Sequence, residues 1–160
     1  MIDITHKQIS LRTASASGLV LCSRETLERI KENTLPKGDL FNIAKAAGLL
    51  ASKNTHNLIP HCHPVSVDGM AITYEYRDNG VEILVEGKSI GRTGIEMEVL
   101  TACSIAALTI YDLLKPIDKN LEITSLKLTG KTGGKSEAKK DIDASLTTAV
   151  LVCSDSTAQG

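Results

Sequence analysis

MAITYEYRDNGVEILVEG, residues 70 to 87, alternates apolar and polar side chains on both sides of Asp78-Asn79-Gly80. Met70, Ile72, Tyr74 and Tyr76 recur at every second position, and so do Val81, Ile83 and Val85. A period of two sends successive side chains to opposite faces of a strand. Asn-Gly between two such runs favours a tight primed turn. The stretch therefore predicts a β-hairpin with one apolar face, and the rest of the chain must cover that face.

Downstream, Thr93 and Glu96 fit a capping box, which predicts a helix starting near Gly94. Leu100, Cys103, Ala107, Ile110 and Leu114 then step by three and four, the pattern of a helix with one buried face. Pro116 ends it and disfavours helical backbone at Lys115. A strand follows in LEITSLKLT, where the apolar phase slips between Ile123 and Leu126 and predicts a bulge. Upstream, residues 9 to 22 read as extended and residues 25 to 33 as a short helix. Asp39 is an N-cap for a second helix carrying Leu40, Ile43, Ala47 and Leu50 on one face, with the poor helix former Gly48 inside it, and ending before Pro60. Strand, helices, two strands, helix, strand is the order of an α+β domain, with helices packed on one face of an antiparallel sheet.

The chain is long enough, at 160 residues, to bury a true core in one domain. Aromatic residues are scarce: Phe41, Tyr74, Tyr76 and Tyr111, with no Trp. Binding of single-stranded nucleic acid by base stacking needs more aromatic platforms than this. A net charge of -1 gives no global attraction to nucleic acid or to anionic membranes, so any cationic site must be local. MIDITHKQ has no apolar segment of a signal peptide, and no apolar run approaches the roughly 18 residues that span a bilayer. Cys22, Cys62, Cys103 and Cys153 form no CxxC pair; a cytoplasmic chain with reduced thiols is expected.

Four stretches carry candidate chemistry. In HCH, residues 61 to 63, extended backbone would point His61 and His63 to one side and Cys62 to the other. A metal could use the two imidazoles with His56 or a carboxylate as third ligand, but no second cluster has ligand spacing. Histidines bonded to backbone, or a substrate-holding loop, are the other readings. GKTGGKS, residues 130 to 136, is one residue short of a Walker phosphate loop. Its glycines with Lys131 and Lys135 still suit a phosphate cradle. GRTG, residues 91 to 94, with Arg92 at a helix N-terminus, is a third candidate, for binding an anion. Fourth, Asp112 and Lys115 are an i, i+3 pair, either a surface ion pair or an acid/base couple. On one helix, Glu98 and Asp112 stand about 21 Å apart along the axis. They serve opposite ends of a long ligand, or separate sites completed by other subunits.

KGDLFNIAKAAGLLASKNT (37 to 55), LIPHCHP (58 to 64), GRTGIEMEVLTACSIAALTIYD (91 to 112) and KTGGKS (131 to 136) together resemble the molybdenum cofactor biosynthesis protein C family of cyclic pyranopterin monophosphate synthases. The resemblance spans about residues 1 to 137. It implies a ferredoxin-like α+β fold and a hexamer of three dimers with sites between subunits. The implied lyase reaction rearranges 3′,8-cyclo-7,8-dihydro-GTP to cyclic pyranopterin monophosphate and releases pyrophosphate, with no metal or redox cofactor. It places Asp112, Lys37 and Lys115 at catalytic positions. It places His61, Cys62, His63, Met97, Glu98, Glu96, Lys131, Lys53, Arg12 and Lys135 at substrate-binding positions. A phosphate-binding scaffold without turnover is the alternative. Separately, TTAVLVCSDSTAQG (147 to 160) resembles the first strand and loop of a molybdopterin adenylyltransferase-like domain, so residues 138 to 160 are expected to be a linker and the start of a second domain.

Overall fold

The structure, a computed structural model, describes residues 1–134. The expected start of a second domain, Cys153 and Lys135 lie outside the described residues.

The hairpin forms where the alternation placed it, as β2 (Gly69–Arg77) and β3 (Gly80–Gly91) in antiparallel register from Arg77↔Gly80 to Gly69↔Lys88. Its turn is not a primed one. Asn33 and Ser125 are the non-glycine residues with positive φ among the described residues, so Asp78 and Asn79 turn with negative φ, and Gly80 does too. Gly80 answers a different demand. A Cβ there would sit 2.3 Å from the Val20 carbonyl oxygen of the neighbouring strand, while Cys22 N–H donates to Asn79 O at 3.0 Å. The glycine lets another strand end close against the turn.

That strand is β1 (Ser10–Leu21), antiparallel to β3 on one side and to β4 (Glu122–Thr132) on the other. The sheet order is β2-β3-β1-β4. Between Ser17↔Lys127 and Leu19↔Thr124 two residues of β4 oppose one of β1, with Ser125 at φ 55. This is the bulge that the slipped apolar phase predicted. The helices are α1 (Arg24–Lys31), α2 (Leu40–Lys53), the single turn α3 (Thr55–Leu58) and α4 (Glu96–Leu114). Strand, helices, hairpin, helix, strand in this sheet order is the ferredoxin-like arrangement, with the helices on one face.

Val81, Ile83 and Val85 point from β3 into the core, each at most 1% exposed, and meet Ile95, Val99, Ile110 and Leu114 of the α4 segment. Each such aliphatic side chain contributes about 1.5–3 kcal/mol on burial. At 19 residues α4 is long and apolar enough to cross a bilayer by length and composition, contrary to the expectation from the sequence. Its apolarity has a local cause: α4 packs on α2 on one side and on β1 and β3 on the other, as the central helix of the core.

Three local expectations are corrected. Asp39 does cap α2, accepting from Asn42 N–H at 3.2 Å, but the buried face is Leu40, Ala44, Gly48 and Ala51. Ile43 and Leu50 are exposed. Small residues sit inward because α2 lies close against α4, so the larger side chains face outward. The Thr93–Glu96 capping box does not form; α4 starts at Glu96 with Ile95 as N-cap and no side-chain cap bond. Lys115 is helical, as the C-cap residue of α4, its N–H donating to Tyr111 O ahead of Pro116.

Candidate active site

The two ends of α4 carry two separate groups of polar side chains. At its C-terminal end Asp112 receives Lys115 Nζ at 2.6 Å on Oδ1 and Lys37 Nζ at 3.3 Å on Oδ2. Lys37 Nζ also donates to the Asp112 carbonyl oxygen at 3.0 Å. The Pro36-Lys37-Gly38 turn ahead of α2 brings Lys37 there, because α2 packs along α4. All three side chains are open to solvent. Hydrogen bonds from Lys115 and then Lys37 hold the Asp112 carboxyl below its ordinary range, and Asp112 raises Lys115 in turn. The result is an ionised carboxylate between two ammonium groups; the pairing keeps the carboxylate charged and makes it a weaker base, while the two ammonium groups can stabilise negative charge developing beside them.

At the N-terminal end of α4, two adjoining clefts share Thr93, Gly94 and Glu96. The smaller, about 300 Å³, is walled by His61, Cys62, His63 and Val65 on one side and by Thr93, Gly94, Glu96, Met97 and Glu98 on the other. His61 is exposed, whereas Cys62 and His63 are half-buried. His63 Nε2 lies 2.8 Å from the Ile2 carbonyl oxygen, so the N-terminal segment runs over this loop. Burial and then the charge of Glu98 push the Cys62 thiol up, which makes it a poor nucleophile near neutral pH. Glu98 is 3% exposed, and burial raises its carboxyl above the ordinary value. Met97 also lines this cleft.

The larger cleft, about 800 Å³, gathers Lys7, Arg12, Arg92 and Lys131 with Gly133 and Gly134. Arg12 leaves β1 to donate to Gly91 O at 3.3 Å and Arg92 O at 3.4 Å. Gly133 and Gly134, with φ of +97° and +92°, lie against the Arg12 side chain. Arg12 thus ties the GRTG turn to the glycine loop. Lys131 Nζ stands 3.2 Å from Glu96 Oε1, and this pairing occupies the Glu96 side chain in place of a helix cap. Four cations around one concavity form the local positive site that a chain of net charge -1 needs for an anionic ligand.

Of the residues singled out from the sequence, His61, Cys62, His63, Met97, Glu98, Glu96, Arg12 and Lys131 gather at this end. Lys37, Asp112 and Lys115 gather at the other. Lys53, exposed on the last turn of α2, lines neither cleft. Among the described residues no three His, Cys, Asp or Glu side chains converge as a metal would require, and His56 does not join the HCH loop in such a group. Sequence reasoning missed His6, Lys7 and Gln8, which line the larger cleft. The pairing Ser10↔Gly91 brings them there, and no local pattern announces that register.

The sequence pattern of the MoaC family matches residues 1–134, which carry both groups. The chain belongs to the MoaC family. A cyclic pyranopterin monophosphate synthase of Streptomyces avermitilis is 46% identical over 136 residues, 85% of this chain and 80% of its own length. Proteins of the same name from Clostridium perfringens and Desulfitobacterium hafniense are 46% and 47% identical over 138 residues. They are covered over 87% and 84% of their lengths, so the MoaC match is to nearly whole proteins.

Proposed function

We propose that this chain is a cyclic pyranopterin monophosphate synthase of molybdenum cofactor biosynthesis, a lyase converting 3′,8-cyclo-7,8-dihydro-GTP to cyclic pyranopterin monophosphate with loss of pyrophosphate. The observation that carries this reading is the Asp112 carboxylate held between Lys37 and Lys115, within a chain 46% identical to enzymes of that name. Asp112, ionised, accepts and returns the proton. Lys115 and Lys37 supply positive charge to the oxygen and phosphate groups that gain negative charge during rearrangement. The cationic cleft suits the triphosphate, with Lys131 and Arg12 on its walls. The smaller cleft, with Glu98 and the HCH loop, suits the base-derived ring.

One protomer does not join these groups, since Glu98 and Asp112 stand about 21 Å apart along α4. Each site is therefore built between subunits, in a homo-hexamer arranged as three dimers. Exposed Ile43 and Leu50 on α2, and Leu108 and Tyr111 on α4, support self-association through the helix layer. The free thiols Cys22, Cys62 and Cys103 suit a cytoplasmic enzyme.

The test is to incubate the purified protein with the cyclised dihydro-GTP and assay pyrophosphate and pterin. Formation of both is expected, and Asp112→Ala abolishes it while substrate still binds. Turnover unchanged in Asp112→Ala sinks the assignment.

A further inference from the structure

Where β2 begins, the chain arriving from the HCH loop has to leave the edge of β3, although β3 runs on to Gly91. Asp68 makes that departure possible. Its N–H donates to Lys88 O at 3.0 Å, next to the last ladder pair Gly69↔Lys88. Its carboxylate Oδ2 then accepts the Ile90 N–H at 2.7 Å, in the place a strand carbonyl would fill had β2 continued. Ser66 Oγ donates to the other oxygen at 2.9 Å and fixes the carboxylate plane. The short charge-assisted bond to a backbone N–H is of the stronger class.

This bond joins the two walls of the smaller cleft. Three residues before Asp68 is Val65, on the loop wall with His61, Cys62 and His63; three residues after Ile90 is Thr93, the first of the facing wall. No other side chain-to-backbone hydrogen bond among the described residues ties the 61–68 loop to the 90–98 segment. We propose that Asp68 is a positioning residue: its carboxylate, bonded to Ile90 N–H, sets the width of the cleft between the HCH loop and the start of α4. Its effect on catalysis rests on the function proposed above; its effect on cleft width does not.

The test has one arm for each. In the intact protein, Cys62 alkylation by iodoacetamide is followed by peptide mass spectrometry, with buried Cys22 and Cys103 as internal controls. Asp68→Ala removes the acceptor, and Cys62 labelling is expected to speed up about fivefold or more as the cleft loosens by local opening, with Cys22 and Cys103 unchanged. Asp68→Asn keeps an oxygen for Ile90 N–H and is expected to label like the parent. In the turnover assay, Asp68→Ala is expected to raise KM about tenfold with kcat moving less than about threefold, the split of lost ground-state positioning. Unchanged Cys62 labelling in Asp68→Ala overturns the proposal, and so does an equal rise at Cys22 and Cys103, which marks general unfolding. If Cys62 responds and no turnover is found in the parent protein, the failure belongs to the proposed function and the clamp stands.

Discussion

Lys131 and Glu96 meet across the mouth of the larger cleft, Nζ 3.2 Å from Oε1, one from β4 beside the glycine loop and the other from the first turn of α4. The lysine is well exposed and the glutamate half-buried, so the pair contributes about 0–1 kcal/mol to stability. Its larger consequence is for anions: the carboxylate competes with any phosphate for the same ammonium. Lys131→Ala is therefore expected to weaken pyrophosphate binding about tenfold, a loss of about 1.4 kcal/mol, and Glu96→Gln to strengthen it. Titration calorimetry at two salt concentrations reads both, with thermal unfolding as the control. Two variants shifting in the same direction would contradict the competition.

Asp112 is expected to be ionised throughout the working range. Hydrogen bonds from Lys115 and Lys37 hold its pKa below 3.8, so the stability its ion pairs add is present above that pH and is lost as acidification passes the lowered value. Lys115, raised above 10.5, contributes stability that is present below that pH and lost as the pH climbs through the raised value. Asp112→Asn is expected to lower kcat by about 10²–10⁴-fold, the usual range for a general acid/base. A pH–rate profile of the parent enzyme is the second check. An acidic limb near pH 6 then belongs to another group, and its disappearance in a variant that keeps Asp112 identifies which.

Periodicity made the hairpin, α4 and the β4 bulge legible, because each places its apolar residues at the spacing of its own backbone. It failed on α2, where Ile43 and Leu50 look like core and small Ala44, Gly48 and Ala51 fill that place. Closeness of two helices selects small side chains, and a hydrophobicity pattern does not register closeness. The Asn79-Gly80 signal found the right turn for the wrong reason, since the neighbouring strand requires the glycine. At the site, motif spacing found the HCH loop and the Asp112/Lys115 pair. Lys7 is brought to the larger cleft and Asp68 to the Ile90 N–H by register with β3, a relation between segments distant in sequence, and a single sequence does not encode it locally.

Gly48 illustrates the same point as a stability measurement. In an exposed helix, replacing Gly with Ala stabilises by about 1 kcal/mol. Here a Cβ would stand 2.7 Å from Ile72 Cδ1 and 3.0 Å from the Ala102 carbonyl oxygen of α4. The isoleucine terminus can rotate, but the α4 backbone cannot move without repacking the core. Gly48→Ala is expected to destabilise by about 1–3 kcal/mol, the range for overpacking, read from the urea unfolding midpoint. A midpoint shifted upward would mean that α2 and α4 have room the contact distances deny.

Glu98 offers the opposite trade. Burial at the start of α4 raises its carboxyl above the ordinary 4.5, against the partial opposition of its own backbone N–H, with the charge of Glu96 adding to the rise. The folded protein therefore keeps this proton to higher pH than the unfolded chain does. Between 4.5 and the raised value the folded state binds more protons, and stability falls as pH rises through that window. Glu98→Gln keeps the shape and removes the charge. It is expected to raise the Tm at pH 8 by a few degrees, with the gain vanishing toward pH 4, where both side chains are neutral. The same variant is expected to lose turnover on the proposed substrate, because a site that retains a destabilising buried acid does so for function. Thermal unfolding at the two pH values, beside the pyrophosphate assay, separates the effects. A Tm gain of equal size at both pH values would show that the carboxylate's charge is not what burial penalises.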